Sequence, residues 1–271
     1  MKKYIIIITT VLLAFCHNTN AESYDDLVDV NIYSNVKQIQ RGSDFYVAIK
    51  LKVADEWHVY WKNPGDSGLP TEVKWNTPKG VEAEGGMIWQ APERIEWSGM
   101  INYGFEHDVY LIQKFKTSRV SDMKTLEIGA EVSWLVCKEK CIPQDDKVSI
   151  QLSVGDLFEK SVYDEMIMDL LGTAPKKFKS VKSTFEADDE GLEIELTDMP
   201  NDVKTVNDIF IITDGVSDNS FKTKIENSKN EVTAEFKISP YIDTVPAEIE
   251  ILVLYEDKNG KSKSYETIIS N

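Results

Sequence analysis

The sequence is poor in the residues that most often build metal sites and covalent cross-links. Its 271 residues include only three cysteines and three histidines, and residues 179–271 contain no cysteine, histidine or tryptophan. Two neighbouring cysteines without a paired Cys or His motif do not complete the tetrahedral coordination of zinc. A glycine-rich phosphate loop is also missing, as is the alternation of strands and helices found in parallel-sheet folds. The sequence therefore predicts no metal centre and no cofactor.

Positive charge and long hydrophobic runs are scarce as well. The chain has 46 acidic and 30 basic residues, for a formal net charge of −16, which repels nucleic acid and anionic lipid surfaces. One apolar run, residues 4–15, follows Lys2 and Lys3 and is shorter than the ~20 residues that a membrane span needs. We therefore predict no nucleic-acid partner and no retained membrane helix.

The N-terminus has the layout of a secretory signal peptide instead. A basic start, an apolar run and a polar stretch ending at Ala21 are the three expected parts, with cleavage after Ala21. Cys16 ends the apolar run as a lipoprotein cysteine would, but the bulky Phe15 before it makes lipid anchoring the less favoured alternative. Export would place the remaining cysteines in an oxidising compartment.

The period of the hydrophobic pattern predicts an all-β fold in two domains. Apolar residues alternate with polar ones in residues 45–53 and again in residues 192–196 and 249–255, as expected for half-buried antiparallel strands. Turn signals at residues 63–66, 85–86 and 98–99 separate strands at intervals that suit a β-sandwich. The predicted domains are a β-sandwich over residues 22–154 and a smaller β domain over residues 179–271.

A short helix is predicted between the two β domains. Apolar residues within residues 156–171 fall on one helical face, and Gly172 and Pro175 follow as stop signals. We assign residues 155–178 to a helical linker.

Cys137 and Cys141 are the only cysteines after the leader, and three residues separate them. A disulfide that closes so short a loop contributes only about 2 kcal/mol of loop entropy, against ~4.7 kcal/mol for a hundred-residue loop. The pair also needs a tight turn or helical turn to approach bonding distance. Lys138 and Lys140 flank it and favour the thiolate, although Glu139 opposes them. These features favour a reactive pair on a loop tip over a stabilising cross-link.

Three stretches resemble the N-terminal periplasmic domain of DsbD and ScsB disulfide reductases. They are residues 57–70 (Trp-His-Val-Tyr-Trp-Lys-Asn-Pro-Gly-Asp-Ser-Gly-Leu-Pro), residues 102–106 (Asn-Tyr-Gly-Phe-Glu) and residues 134–143 (Trp-Leu-Val-Cys-Lys-Glu-Lys-Cys-Ile-Pro). The likeness covers about residues 24–153, and the two-domain length is similar to the ScsB type. The cysteine spacing is shorter than in the best-known DsbD proteins.

This resemblance implies immunoglobulin-like β-sandwiches, a periplasmic location and a catalytic pair formed by Cys137 and Cys141. It implies a thioredoxin-like donor or a membrane electron-transfer protein on one side, and an exported disulfide protein on the other. Such relatives usually carry a membrane electron-transfer domain in the same polypeptide. None is evident in this sequence after residue 21, so the donor is expected to be a separate protein.

Several aromatic and turn residues are candidates for a cap over the cysteine pair or for a partner surface. A relay pair must be shielded from random oxidants yet be reachable by a docked partner. The candidates are Tyr60, Trp61, Asp66, Tyr103, Gly104, Phe105 and Pro143. Asp66 is also a candidate proton acceptor, although in Pro-Gly-Asp-Ser-Gly it more often closes a turn. Gly104 would permit an unusual backbone turn.

Two other functions fit the same cysteines. Thiolates three residues apart bind Cu(I), with His58 or His107 as a third ligand, although exported copper carriers with this motif have a thioredoxin fold. The alternative is a non-catalytic binding module with a small structural disulfide. The sequence leaves open which cysteine attacks and what the oligomeric state is.

Overall fold

The computed structural model of this protein describes residues 27–118, 123–177, 182–188, 191–197, 199–228 and 231–271. The predicted signal peptide and Cys16 lie outside these residues. The described strands and helix form an N-terminal unit that ends with β12 and a C-terminal unit that begins with β13, with α1 between them.

The N-terminal unit contains twelve of the described strands. These are β1 (Val28–Ser34), β2 (Val36–Gln40), β3 (Asp44–Val53), β4 (His58–Gly65), β5 (Glu72–Asn76), β6 (Val81–Ile88), β7 (Glu93–Trp97), β8 (Met100–Phe105), β9 (Val109–Thr117), β10 (Thr125–Cys137), β11 (Cys141–Gly155) and β12 (Glu159–Lys160). One sheet has the order β1-β3-β9-β6, and the other has the order β12-β2-β11-β10-β4-β8-β7, with β5 paired to β10. Buried side chains from both sheets fill the space between them, so the unit is a β-sandwich.

The C-terminal unit is a second sandwich with its own core. It follows α1 (Asp164–Thr173) and comprises β13 (Lys176–Lys177), β14 (Lys182–Ala187), β15 (Leu192–Thr197), β16 (Val203–Ile211), β17 (Lys224–Asn227), β18 (Glu231–Phe236), β19 (Glu248–Asp257) and β20 (Ser262–Ser270). The strand order is β16-β19-β20-β14-β15-β18-β17, and β14 joins β20 through the single pair Thr184–Ser270. The strands on either side of the Thr184–Ser270 pair contribute side chains to one buried hydrophobic cluster. The prediction of an all-β fold is confirmed.

The alternating pattern identified the core-facing residues correctly. In β3, Phe45, Val47, Ile49 and Leu51 are fully buried, and Val53 is nearly so. Two-residue turns also occur where expected, as at Ser98 and Gly99, which join β7 to β8 with positive φ angles. The predicted turn at residues 85–86 is wrong: both glycines lie within β6, where the pairing with β9 shifts register.

The predicted helix begins too early. Residues 156–163 are not helical, because Glu159 and Lys160 pair with β2, and Ser161 is tied through backbone and side-chain hydrogen bonds to Ser34 and Asn35. Leu157 and Val162, two apolar residues of this segment, are exposed. The helix runs one residue past Gly172 and stops where Ala174 becomes extended before Pro175.

The helix covers the outer face of the sheet that contains β3 and β9. Ile167 is fully buried there against Ala48 and Ile112. This explains why β3 buries residues on both of its faces near Ala48. The helix therefore packs on the N-terminal unit as well as connecting it to the C-terminal unit.

The two units share a buried interface. Phe210 and Leu252 of the C-terminal unit belong to the hydrophobic cluster of the N-terminal unit. The ring of Phe210 contacts Tyr103 edge-on at 4.8 Å between centroids. Beside it, Arg94 donates two hydrogen bonds to Asp208, at 2.8 and 3.0 Å. The C-terminal unit is thus docked directly on the face that carries β7 and β8.

Gly104 in β8 offers a test of this packing. A Cβ at residue 104 would lie 2.3 Å from the carbonyl oxygen of Val59, whereas one at Gly129 of β10 would come no closer than 3.5 Å to any neighbour. We expect Gly104→Ala to lower the free energy of unfolding by about 1–3 kcal/mol, as other overpacked cores do. The matched variant Gly129→Ala should be neutral or slightly stabilising in urea denaturation. Equal stabilities of the two variants would contradict the close approach of β4 and β8.

Candidate functional site

The cysteine pair closes the hairpin formed by β10 and β11. Cys137 and Cys141 are the last paired residues before the turn, and their sulfurs form a disulfide with the Cα atoms 4.1 Å apart. The tight turn expected from the spacing is therefore present.

The turn of this hairpin is anchored to neighbouring segments. The indole Nε1 of Trp97 donates to the carbonyl oxygen of Lys138, and the ammonium of Lys138 forms an ion pair with Glu56 at 2.7 Å. Neither Trp97 nor Glu56 was a sequence-based candidate. Trp97 precedes the Ser98–Gly99 turn, and no local pattern shows that this turn lies beside the cysteine hairpin.

The two cysteines differ in their access to solvent. Cys137 is completely buried, whereas Cys141 is exposed. Cys137 also pairs with His58 of β4 on its other side, so it lies inside the sheet while Cys141 begins the neighbouring strand. Cys141 is therefore accessible to solvent, whereas Cys137 is enclosed by the sheet.

Tyr60 contacts both sulfurs. Its hydroxyl donates to Cys137 Sγ at 3.1 Å and lies 3.8 Å from Cys141 Sγ. Burial raises the pKa of Tyr60, an effect that a hydrogen bond with Ser67 partly opposes. The hydroxyl therefore remains protonated at neutral pH and is available as a donor to a sulfur that gains negative charge.

His58 lies next to Tyr60 and precedes it by two residues on β4. Its Nε2 is 3.4 Å from the Tyr60 hydroxyl, and the side chain is almost fully buried. Burial lowers the pKa of His58, which favours the neutral imidazole. A neutral ring can act as donor or acceptor toward Tyr60, depending on its tautomer.

A loop that we call the cover loop, residues 66–70, lies against Tyr60 between β4 and β5. Gly68 is so close to the Tyr60 ring that a Cβ there would be 2.2 Å from a ring carbon. Thr71, which follows the loop, donates to the carbonyl oxygen of Tyr60 at 3.0 Å. Leu69 is 61% exposed at the loop surface. The cover loop therefore shields Tyr60 and presents one apolar side chain to solvent.

Three of the other proposed cap residues are buried and pack in the core or at the interface between the units. Trp61 and Tyr103 are buried with their rings against Phe210 of the C-terminal unit. Burial raises the pKa of Tyr103 to about 12, and its hydroxyl donates to the side chain of Asn219. Phe105 is buried next to His107. These residues therefore pack in the core of the N-terminal unit and at its interface with the C-terminal unit.

Gly104, Asp66 and Pro143 have different surroundings. Gly104 lies within a strand, opposite Tyr60, so the unusual turn expected there is absent. The carbonyl oxygen of Val59 occupies the space that a Cβ atom at residue 104 would need. Asp66 accepts backbone hydrogen bonds from Ile101 and Asn219. Pro143 is exposed in β11, two residues after Cys141.

Comparison with known families identifies the N-terminal unit. Residues 25–153 match the family model described as thiol:disulfide interchange protein DsbD, N-terminal. These residues form a DsbD-type N-terminal domain. This domain contains the disulfide, Tyr60, His58 and the cover loop. Its match to the DsbD family supports a function in thiol-disulfide interchange. No curated protein matches the chain.

One solved structure shows that the likeness in fold extends over both units. The N-terminal periplasmic domain of ScsB from Proteus mirabilis matches with a TM-score of 0.64 and 16% identity, covering 91% of this chain and 95% of that one. The N-terminal domain of DsbD from Neisseria meningitidis, in its reduced form, matches with a TM-score of 0.31 and 13% identity, covering 49% of this chain and 91% of that one. The ScsB match supports an immunoglobulin-like fold with the same two-unit arrangement.

The part of the chain that the structure describes contains neither a cluster of metal ligands nor a helix that could span a membrane. No group of three or more His, Cys, Asp or Glu side chains is arranged to hold a metal ion there. His107, one of the two histidines considered for copper, lies 3.7 Å from Glu93 at the surface. Among the same residues, no helix has the length and hydrophobicity needed to cross a bilayer.

The burial of His58 predicts a pH dependence of stability. Because its pKa is lower in the folded protein, the unfolded chain binds the proton more readily as the pH falls below about 6.5, and the free energy of unfolding decreases there. Urea denaturation at pH 7.5 and at pH 5 measures this change. In His58→Gln, the free energy of unfolding should decrease less between the two pH values than in the wild type. The matched variant His107→Gln should retain the full decrease, since His107 is exposed. An unchanged pH dependence in His58→Gln would show that His58 does not contribute.

Proposed function

We propose that this protein is a periplasmic thiol-disulfide exchange protein that passes electrons through the Cys137–Cys141 disulfide. The electrons would come from a thioredoxin-like or membrane reductase donor and go to exported proteins that contain disulfides. The observation that carries the proposal is a disulfide between one exposed and one buried cysteine, contacted by a hydroxyl donor, within a DsbD-type domain. The periplasmic location rests on the ScsB likeness and on the predicted signal peptide.

We infer the roles of the two cysteines from their unequal exposure. A donor thiolate attacks the exposed Cys141 Sγ, the bond between the two sulfurs breaks, and its electron pair passes to Cys137 Sγ as a thiolate. The Tyr60 hydroxyl, 3.1 Å from that sulfur, stabilises the new charge. A second donor thiol then displaces Cys141, which leaves both cysteines reduced and the donor oxidised to a disulfide.

The reduced pair would transfer its electrons by the reverse chemistry. The Cys141 thiolate attacks a substrate disulfide and forms a mixed disulfide, and the substrate's other sulfur leaves as a thiolate. Cys137 then attacks Cys141 Sγ, which regenerates the disulfide and releases the substrate reduced. Cys137 is thus the resolving cysteine, protected by its burial from reaction with other partners.

The partner surface in this proposal surrounds Cys141. Leu69 on the cover loop and Pro143 on β11 are exposed apolar side chains close in sequence to the groups that contact the disulfide. A thioredoxin-like domain would place its own cysteine against Cys141 and pack on these residues.

Single-cysteine variants test the two roles. We expect the thiol of Cys141 in Cys137→Ala to react with iodoacetamide at least about tenfold faster than the thiol of Cys137 in Cys141→Ala, because access controls cysteine reactivity. After activation with Ellman's reagent, Cys137→Ala should form a mixed disulfide with a thioredoxin that lacks its resolving cysteine. Mass spectrometry identifies the product. Failure of both variants to form it would contradict the proposed exchange.

The reduction potential separates exchange from structural cross-linking. Equilibration of the wild-type protein with glutathione or dithiothreitol buffers should give a midpoint above about −300 mV, outside the range of structural disulfides. A midpoint well below that value would instead favour the non-catalytic binding module.

Tyr60→Phe tests the stabilisation of the Cys137 thiolate. In the Cys141→Ala background, removal of the hydroxyl should raise the pKa of the Cys137 thiol by about one to two units, since a hydrogen bond to a charged group contributes about 1.5–3 kcal/mol. The pH dependence of the thiolate ultraviolet absorbance measures this change. Tyr241→Phe, which removes a hydroxyl from a 96% exposed side chain, is the control. Equal thiol pKa values with and without the Tyr60 hydroxyl would exclude the stabilising contact.

A further inference from the structure

The turn between the two cysteines lacks the backbone conformation that usually closes a hairpin loop of its length. Cys137 pairs with Cys141, so residues 138–140 form the loop. Three-residue hairpin loops commonly need one residue with a positive φ angle. Residues 138–140 include no glycine, and none of them has a positive φ. The shape of this turn therefore depends on contacts from outside it.

Lys138, the first residue of the turn, is anchored in two ways. The indole Nε1 of Trp97 donates to its carbonyl oxygen, which fixes the backbone. Its ammonium lies 2.7 Å from the carboxylate of Glu56, and the hydrogen bond between them lowers the pKa of Glu56. Trp97 ends β7, and Glu56 lies between β3 and β4. Two segments distant in the chain thus meet at one residue of the turn.

The backbone beside each anchor has a conformation that residues other than glycine rarely adopt. The φ angle is 68° at Glu56 and 54° at Ser98, which follows Trp97. No other residue except glycine has a positive φ in the part of the chain that the structure describes. Such conformations persist only where the surrounding structure imposes them, and they concentrate at functional sites. Both of them lie beside a contact to Lys138.

We propose that Trp97, assisted by Glu56, is a positioning residue for disulfide exchange and holds the turn at Lys138 in one shape before and after the disulfide opens. While the disulfide is closed, the bond itself fixes the turn. In the dithiol form, the anchors reduce the conformational entropy that is lost when the bond forms again. This role rests on the proposed function, since only a pair that opens and closes needs such positioning.

The step that Trp97 assists is the resolution of a mixed disulfide on Cys141. The thiolate of Cys137 attacks Cys141 Sγ, a bond forms between these two sulfurs, and the partner's sulfur leaves with the electron pair of the broken bond. Pairing with His58 already holds Cys137 inside the sheet. The freedom that remains after the disulfide opens therefore lies in the turn, where the two anchors act.

The midpoint potential of Trp97→Phe tests this role. The variant keeps an aromatic ring but removes the indole donor. In glutathione buffers, its equilibrium constant for disulfide formation should fall about three- to tenfold, the effect of one hydrogen bond, which makes the midpoint about 14–30 mV less negative. Glu56→Gln removes the charge of the second anchor and should shift the midpoint in the same direction by less, because exposed ion pairs contribute little.

The rate of closure separates positioning from a change in equilibrium alone. Oxidised glutathione forms a mixed disulfide with Cys141 of the reduced protein, and Cys137 then displaces glutathione as a thiolate. The rate constant of this second step should fall at least about threefold in Trp97→Phe. Acid quenching followed by mass spectrometry measures the rate. A rate equal to that of the wild type would mean that Trp97 does not position the pair.

Two variants are matched controls. Trp75→Phe removes an indole N–H that is buried without a hydrogen-bond partner among the described residues. Glu131→Gln removes the acceptor of an ion pair with Lys147 on the same hairpin, away from the turn. Both should keep the wild-type midpoint and closure rate. If Trp75→Phe changes them as much as Trp97→Phe does, general loosening of the sandwich is the cause and the specific role of Trp97 is wrong.

The indole proton of Trp97 reports on the anchor without any substitution. In isotope-labelled wild-type protein, its exchange with solvent should be slow in both the oxidised and the reduced form. Rapid exchange after reduction would show that the contact is lost when the disulfide opens, and the inference would fail.

The glutathione experiments are independent of the protein partner. If the wild type never forms a mixed disulfide with thioredoxin but Trp97→Phe still slows closure by glutathione, the positioning role stands and the proposed function fails. If thioredoxin reacts with the wild type but closure is unchanged in Trp97→Phe, the proposed function stands and the positioning role fails.

Discussion

The contact between the Tyr60 hydroxyl and the buried sulfur of Cys137 is the interaction on which the rest of the site depends. It exists because β4 pairs with β10 so that His58 lies opposite Cys137, which brings Tyr60 to within 3.1 Å of the sulfur. Strand pairing of this kind leaves little freedom, since a slip of one residue would turn Tyr60 to the other face. The sheet therefore holds the hydroxyl closer to the sulfur of Cys137 than to that of Cys141, which is 3.8 Å away.

Because of that asymmetry, the two cysteines lie in different environments, although their neighbours in the sequence are nearly identical. Cys137 ends a central strand and is enclosed, whereas Cys141 starts the next strand and faces solvent. The ammonium of Lys138, expected from sequence to favour a thiolate, is paired with Glu56, so the hydroxyl donor becomes the group best placed to stabilise charge on Cys137. In the proposed exchange, burial and one hydrogen bond, rather than a field of positive charge, set the reactivity of the pair.

The sequence predicted the fold and the cysteine turn because these depend on local spacing. Alternation in β3 and β15 showed which side chains face a core, and the separation of Cys137 and Cys141 required a tight turn. The sequence predicted too early a start for α1. The apolar residues before Asp164 give no indication that Glu159 and Lys160 pair with β2. Among the proposed cap residues, Tyr60 contacts the sulfurs, whereas Trp61 and Tyr103 pack at the interface with the C-terminal unit. Aromatic composition alone does not distinguish these two environments.

By itself, the sequence determined an all-β chain with two cysteines close enough to bond, because strand period and loop length are properties of neighbouring residues. Only the tertiary structure decided which sulfur is exposed, that Tyr60, His58 and Trp97 surround the hairpin, and that Asn219 of the C-terminal unit reaches Asp66. Each of these depends on contacts between strands distant in the chain, and Asp66 and Asn219 are 153 residues apart. Such contacts follow from the register of the sheets and the docking of the units, which no local pattern records.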